Sequence, residues 1–429
     1  MKKVKIIGAG LAGSEAAYQL ARRNIPVQLY EMRPATTTPV HKTGLPGELV
    51  CSNSLGSDNP ESAPGLLKRE MELFDSLIIK AARETRVPAG QALAVDRIRF
   101  SKYIEDTLNS FPHVEIINEE ITEIPTDSAL IIASGPLTSQ KLADSIKNYL
   151  GHEHLYFFDA VSPVIEAESI NMEKAFIASR YDKGTPDYLN CSMSQEEYLN
   201  FYNELISAQK IEVKDFEKKY LFEGCMPVED IAACGVKSLV FGPMKPVGLD
   251  ENAEAVVQLR KEDREGSMYS LVGFQTRLKW GEQKRIIRLI PGLEKAEIVR
   301  YGVMHKNIFI NSPEVLYKSL QLKENEKFFI AGQITGVEGY VESTAMGLVA
   351  GINLARVIKD KKFLNFPRET AIGSLINYIT EPERKRFQPM NINFGVLPSL
   401  KLKMKKKEKR KIIVENCYKT MKDFVNTLE

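Results

Sequence analysis

The chain has 429 residues, 43% of them hydrophobic and 27% charged, more than one hydrophobic core usually organises, so two or three domains are expected. Fifty-eight Lys and Arg against 56 Asp and Glu leave a net charge of +2, which excludes bulk basicity as a means of holding nucleic acid and confines any such contact to local patches. The five cysteines (Cys51, Cys191, Cys225, Cys234, Cys417) include no Cys-x-x-Cys pair and no histidine at zinc-ligand spacing, so reduced thiols, a cytoplasmic setting and no metal site are expected.

A strand pattern starts directly after Met-Lys-Lys, and no stretch holds about 18 uninterrupted apolar residues, so neither a signal peptide nor a membrane partner is expected. Val4 to Ile7 is a short apolar run that ends in Gly8-Ala-Gly10-Leu-Ala-Gly13. Ser14 to Arg23 then reads as a helix and Pro26 to Tyr30 as a second strand, which makes a βαβ unit. In such a turn Gly8 permits the tight bend, Gly10 lets backbone approach a pyrophosphate and Gly13 allows close helix packing, while the helix N-terminus presents oriented N–H donors. Glu31, at the end of the second strand, is placed to accept from a ribose hydroxyl. FAD and NAD both fit this motif alone.

Residues 36–64 are crowded with Thr, Pro, Gly, Ser and Asn and read as a long loop over a site, before helical periodicity returns over 65–86. Ala129 to Ala133, closed by Ser134-Gly-Pro136, reads as a buried strand of the first sheet. From about 182 to 310 charged helical stretches mix with turns such as Phe241-Gly-Pro-Met-Lys-Pro-Val-Gly248, the texture of an inserted domain. Phe328 onward returns to strand and glycine-rich turn, and Glu342 to Val357 has the small-residue spacing of a tightly packed helix. The turn Ala331-Gly332-Gln-Ile-Thr-Gly336-Val-Glu-Gly339-Tyr340 looks like the second flavin-binding segment of two-part FAD enzymes, which favours FAD over NAD and makes Gly332, Gly336 and Gly339 candidate cofactor contacts. The expected fold is therefore α/β: a Rossmann-type FAD-binding domain in two parts, 1–181 and 311–429, with an inserted α+β domain at 182–310. Residues 401–411 carry eight basic side chains and precede a closing amphipathic pattern.

Cys51 and Cys225 each stand among small, polar or turn-forming residues, in Glu48-Leu-Val-Cys-Ser-Asn-Ser-Leu55 and Phe222-Glu-Gly-Cys-Met-Pro-Val-Glu229. A thiol in a loop can serve as a nucleophile, and it can equally be a small buried hydrophobe.

These two runs, with Gly8 to Ala17, Tyr30-Glu-Met-Arg-Pro34, Val87-Pro-Ala-Gly90, Phe241 to Leu249 and Tyr301-Gly-Val-Met-His-Lys306, resemble the folate- and FAD-dependent tRNA (uracil-5-)-methyltransferase family over almost the whole chain. The resemblance implies FAD, 5,10-methylenetetrahydrofolate as methylene donor, NAD(P)H as reductant, and a uridine in the T-loop of tRNA as target. It implies Cys225 as the nucleophile, Cys51 as the second functional cysteine and His305 as a residue stacked on the folate pterin. Gly56 and Cys234 depart from the family, which commonly has basic residues at both places. For RNA contact the 401–411 run and the Arg277 to Arg285 stretch around Trp280 are equal candidates. The competing readings are the same reaction on ribosomal RNA, a longer flavoprotein that builds larger uridine side chains, and a flavin-binding interaction protein without catalysis.

Overall fold

A computed structural model describes residues 3–38, 40–151, 155–160, 162–211, 226–263, 265–302, 304–382, 387–400 and 404–428, with backbone alone at 155–160, 304–306 and 406. The first sheet has six strands in the order Gln321–Leu322, Asn325–Ile330, Leu130–Ile132, Val4–Ile7, Val27–Tyr30, Val114–Ile117. Four of its five pairings are parallel, with Ile6 opposite both Leu29 and Ile131. Apolar on both faces, these strands need cover on both sides, as parallel sheets do. The order reverses between Val4–Ile7 and Leu130–Ile132, and such a switch point opens a crevice at the carboxyl ends of the strands.

The cover on one side comes from two helices distant in sequence. Leu11–Ala21, capped at Gly10, is buried along its whole length, and Tyr340–Ile358 is buried from Val341 to Ala355. This last is the one described helix long and apolar enough to cross a membrane, and 83% of its apolar window is buried inside the protein. The two helices meet through residues without bulk. A Cβ on Gly347 would lie 2.1 Å from the Ala12 carbonyl oxygen, and one on Gly351 would lie 2.8 Å from that of Ala16. The C-terminal segment thus completes the domain begun by the N-terminal one, as the sequence pattern predicts.

The second sheet is antiparallel throughout, with six strands ordered Ala175–Ala178, Tyr188–Met193, Ala255–Lys261, Met268–Leu271, Val164–Glu166, Ile298–Arg300. Helices Gln195–Ser207, Val228–Ala233 and Trp280–Ile287 pack around it, and Phe201, Leu259 and Ile290 belong to its separate core. This α+β unit opens at Val164, ahead of the 182 boundary read from composition. Its first two strands are short apolar runs that match the texture of the domain before them. The strands Leu155–Ala160 and Met304–Phe309 pair antiparallel where the chain passes between the two units, with His305 opposite Asp159. The 36–64 loop ends in the strand Ser54–Ser57, which joins Ala92–Val95 in a small third sheet. The helical stretch after it is two helices, Ala63–Leu73 and Leu77–Glu84, broken at Asp75 with φ of 61°.

The seam between the two long helices makes a direct test. Gly347→Ala is expected to lower the unfolding free energy by about 3 kcal/mol through overpacking, outweighing the roughly 1 kcal/mol that alanine gains over glycine in a helix. Urea titration of the purified variant reads this difference, and equal midpoints for variant and wild type would disprove the close approach.

Candidate active site

The carboxyl ends of the parallel strands frame an open cleft of about 980 Å³. Its walls include Gly8 and Gly10 from the first turn, Glu31 from the second strand, Ser134 and Thr138 from the third, and Gly332 with Tyr340 from the C-terminal segment. The glycines of the first turn divide their work. Gly8 has φ of 99°, and a Cβ there would fall 2.6 Å from the Ala133 carbonyl oxygen. A Cβ on Gly13 would fall 1.8 Å from the Gly8 carbonyl oxygen, so both positions serve the fold. Gly10 has open space within 4 Å of an added Cβ, at the N-cap of a helix whose first N–H groups point into the cleft. That is the cradle a pyrophosphate needs, so these residues fit a dinucleotide such as FAD.

Glu31 is buried and held on three sides. Its Oε2 accepts from the Ala9 N–H at 3.1 Å, and its Oε1 accepts from the Arg33 backbone N–H at 3.1 Å and from Arg33 Nε at 2.7 Å. Burial pushes this carboxyl up, and the Arg33 hydrogen bonds and charge more than offset it, so it stays below the ordinary carboxylate range and ionised. Arg33, 2% exposed, also donates Nη1 to Glu48 at 2.8 Å. Removing one partner of such a buried pair costs about 3–5 kcal/mol. Beside it His41 bonds through Nδ1 to the Thr38 hydroxyl at 2.7 Å. Burial, followed by the Arg33 charge, pulls the His41 imidazole down to about 4.

On the C-terminal side, Gly332 has φ of 83° and lines the cleft. Gly336, expected as a cofactor contact, is instead a packing glycine: with φ of 87°, its Cβ would fall 2.3 Å from Cζ of Phe387. Gly339 caps the helix Tyr340–Ile358 with φ of 112° and stands one residue outside the cleft wall, where Tyr340 and Ser343 take its place.

Cys51 is half-buried, and its loop is clasped from three elements. The Tyr340 hydroxyl accepts from the Cys51 N–H at 2.7 Å and the Ser52 N–H at 3.1 Å. Arg97 donates Nη1 to the Leu49 carbonyl and Nε to Glu262. Arg260, from the inserted domain, donates Nη2 to the Ser52 hydroxyl at 2.8 Å and Nε to Asn53 Oδ1 at 2.9 Å. Burial pushes the Tyr340 hydroxyl above the usual tyrosine range, so it keeps its proton. Arg300 also faces this loop. Burial, followed by the Arg97 charge, draws its guanidinium down to about 10, and its Nε and Nη2 have no partner. Three guanidinium groups, of Arg97, Arg300 and Arg260, thus act on one carboxylate, Glu262, behind the Cys51 loop.

Cys225 lies outside the described residues. His305 lies in the strand Met304–Phe309 with its backbone alone described. Two residues on, Asn307 is fully buried, and neither of its amide atoms has a hydrogen-bond partner among the described residues. Cys191 and Cys417 are buried hydrophobes, their thiols pushed by burial up to about 12. Among the described residues no group of three His, Cys, Asp or Glu could hold a metal ion.

Of the two RNA candidates, the Arg277 to Arg285 stretch is not an open basic patch, whereas Lys405, Lys407, Arg410 and Lys411 of the 401–411 run are exposed. Arg277 pairs with Asp230 at 2.6 Å, Lys284 with Glu297 at 3.0 Å, and Arg285 with Glu282 at 2.7 Å. Trp280 stays 61% exposed, stacked on Tyr301 at 5.1 Å. The basic run enters the helix Lys406–Asn426, where Arg410 lies over the Phe394 ring at 4.6 Å. Arg33, His41 and Tyr340, which line the cleft, and Arg97 and Arg260, which hold the Cys51 loop, carry no signal by spacing, although Arg33 and Tyr340 stand within the Tyr30 and Ala331 runs.

Two measurements check this geometry. Gly10→Val is expected to fold as the wild type does and to purify without bound flavin, because the side chain would enter the cleft and nothing else; a fully yellow variant would reject the cradle. For His41, the unfolded chain takes up a proton near pH 6.5 that the folded chain refuses until about 4. Stability therefore falls as pH drops through that window, by on the order of 3 kcal/mol. Between pH 7 and roughly 4 the thermal midpoint of the wild type should fall relative to that of His41→Gln; parallel curves would contradict the assignment.

The family described as Glucose inhibited division protein A matches residues 3–362. A protein of Natranaerobius thermophilus named methylenetetrahydrofolate--tRNA-(uracil-5-)-methyltransferase TrmFO is 56% identical over 428 residues, 99% of each chain. A Listeria monocytogenes protein of the same name is 55% identical over 414 residues, 95% of each. The solved structure of Aquifex aeolicus GidA superposes with a TM-score of 0.71 at 17% identity, covering 99% of this chain and 73% of that one, and supports the fold. The chain therefore belongs to the glucose-inhibited division protein A family and, within it, to the group of methylenetetrahydrofolate--tRNA-(uracil-5-)-methyltransferases.

Proposed function

We propose that this chain methylates carbon 5 of a uridine in the T-loop of tRNA, taking a methylene from 5,10-methylenetetrahydrofolate and electrons from FAD that NAD(P)H reduces. The observation that carries this reading is one cleft that joins a dinucleotide cradle at Gly10 to a clasped cysteine loop at Cys51. The names of the relatives favour tRNA over ribosomal RNA. A flavin-binding protein without catalysis would have no use for the clasp.

Gly10 and the N-terminus of its helix would hold the pyrophosphate, Glu31 the ribose, and Gly332 with the start of the second long helix the flavin end. Bound FAD supplies, in its reduced form, the two electrons that turn a transferred methylene into a methyl group. Carbon 5 of uracil is a poor nucleophile until a thiolate adds to carbon 6, which puts the electron pair of the 5,6 double bond at carbon 5. Cys225 takes this part by resemblance. After carbon 5 bonds to the methylene, its proton must leave, the pair left behind re-forming the 5,6 double bond while the carbon–sulfur pair departs on the thiolate. Cys51, on a loop held by Tyr340, would take that proton. His305 would stack on the pterin, the role the resemblance implies for it.

Replacing each cysteine separates the roles. Cys225→Ser should keep FAD and RNA affinity but lose methylation and any covalent adduct with 5-fluorouridine RNA, since a serine hydroxyl is far less nucleophilic near neutral pH. Cys51→Ser should lose methylation and keep the adduct. The reverse pattern on a denaturing gel would exchange the two roles, and full methylation by both variants would reject the thiol mechanism.

A further inference from the structure

A second open groove, of about 890 Å³, runs between the two domains. One wall is the Ser54–Ser57 strand and the Gly90 turn of the first domain; the other carries Arg180, Tyr181, Lys183 and Gln258 of the insert. Tyr181 and Asp182 both adopt left-handed backbone, with φ of 58° and 52°, a conformation that residues with side chains avoid and that concentrates at functional places. The run Phe241 to Leu249 holds them there. The Gly248 carbonyl accepts from the Tyr181 N–H at 2.8 Å, and a Cβ on Gly248 would fall 2.5 Å from the Tyr181 ring. Arg180 donates Nη1 to the carbonyls of Lys245 at 2.8 Å and Val247 at 2.7 Å. The motif thus presents a tyrosine ring that remains 49% exposed.

The charge here differs from that of the Trp280 stretch. Lys183, exposed, holds its Nζ 5.6 Å from the Tyr181 ring centroid and has no carboxylate partner among the described residues. Arg180 spends its donors on carbonyls and on Gln258 at 3.2 Å, not on an acid. Of the loop's two carboxylates, Asp187 is taken up by the Gly90 N–H at 2.9 Å and the Thr185 hydroxyl, which leaves Asp182. Uncompensated cations interleaved with an exposed aromatic ring suit single-stranded nucleic acid.

The groove also leads to the Cys51 loop. Gln258 and Arg260 lie on one face of the same strand, about 7 Å apart along it, and Arg260 is the residue that grips Ser52 and Asn53. A uracil that must reach a cysteine leaves its stack, and its neighbours then lose a stacking partner. We propose that this groove holds an unpaired nucleotide flanking the target uridine, its base against Tyr181 and its phosphate against Arg180 and Lys183. The proposal rests on RNA as the substrate.

The test measures binding of a T-loop stem-loop RNA by full-length, FAD-loaded protein, with methylation followed separately. Tyr181→Gly removes the ring and relieves the strained φ; Kd should rise roughly tenfold, and Tyr181→Trp should restore it. Lys183→Gln should reduce the slope of log K against log salt by about 0.7. All three variants should retain flavin absorbance. Wild-type Kd and salt slope in Tyr181→Gly and Lys183→Gln would overturn the groove while leaving the methyltransferase reading intact. A wild type that binds this RNA through Tyr181 without methylating it would do the opposite, and a wild type that binds no RNA would overturn both.

Discussion

The absence of side chains at Gly347 and Gly351 is the constraint on which the remaining structure depends. It lets two helices more than 300 positions apart in sequence meet backbone to backbone over Ala12 and Ala16. Because they meet so closely, the first turn of each opens on the same crevice, where Gly10 stands on one side and Tyr340 on the other. Tyr340 then reaches the Cys51 loop and fixes it with one hydroxyl accepting two backbone N–H groups. A cofactor cradle, a fixed cysteine loop and a domain closure thus follow from one packing seam.

Around that seam the charges are arranged in two buried clusters of opposite purpose. At the ribose end, one guanidinium (Arg33) is shared by two carboxylates, Glu31 and Glu48, and nearly all its donors are used. At the cysteine end, three guanidinium groups share Glu262, and donors on Arg97 and Arg300 have no partner among the described residues. The first cluster is satisfied within the protein, and desolvation makes it a rigid strut. The second is not: among the described residues Oε1 of Glu262 has no hydrogen-bond partner either. The inserted sheet contributes to this end through Arg260 and Arg300, so the second domain is part of the site and no mere appendage.

The Rossmann unit was legible because glycine spacing and strand and helix periods are local properties: Val4–Ile7, Leu11–Ala21 and Val27–Tyr30 lie where the pattern puts them. The C-terminal completion was legible for the same reason, from Phe328 onward. Gly336 was not, since whether a glycine in a turn meets a ligand or the Phe387 ring depends on the fold around it. Composition misplaced the start of the insert because Val164–Glu166 and Ala175–Ala178 resemble strands of either sheet. The basic stretch at Arg277 to Arg285 read as a patch because its acids come from distant positions, Glu204, Asp230 and Glu297. In the same way nothing in the run Phe241 to Leu249 announces that it supports Tyr181.

Transfer of label from isotopically labelled methylenetetrahydrofolate into a tRNA transcript, by the FAD-loaded protein supplied with NAD(P)H, tests the central claim most directly. The account predicts labelled 5-methyluridine in the T-loop, absent when the reductant is withheld and absent from a transcript whose target uridine is replaced by cytidine. Label that never enters the RNA, or a methyl group that comes from S-adenosylmethionine instead, would contradict it.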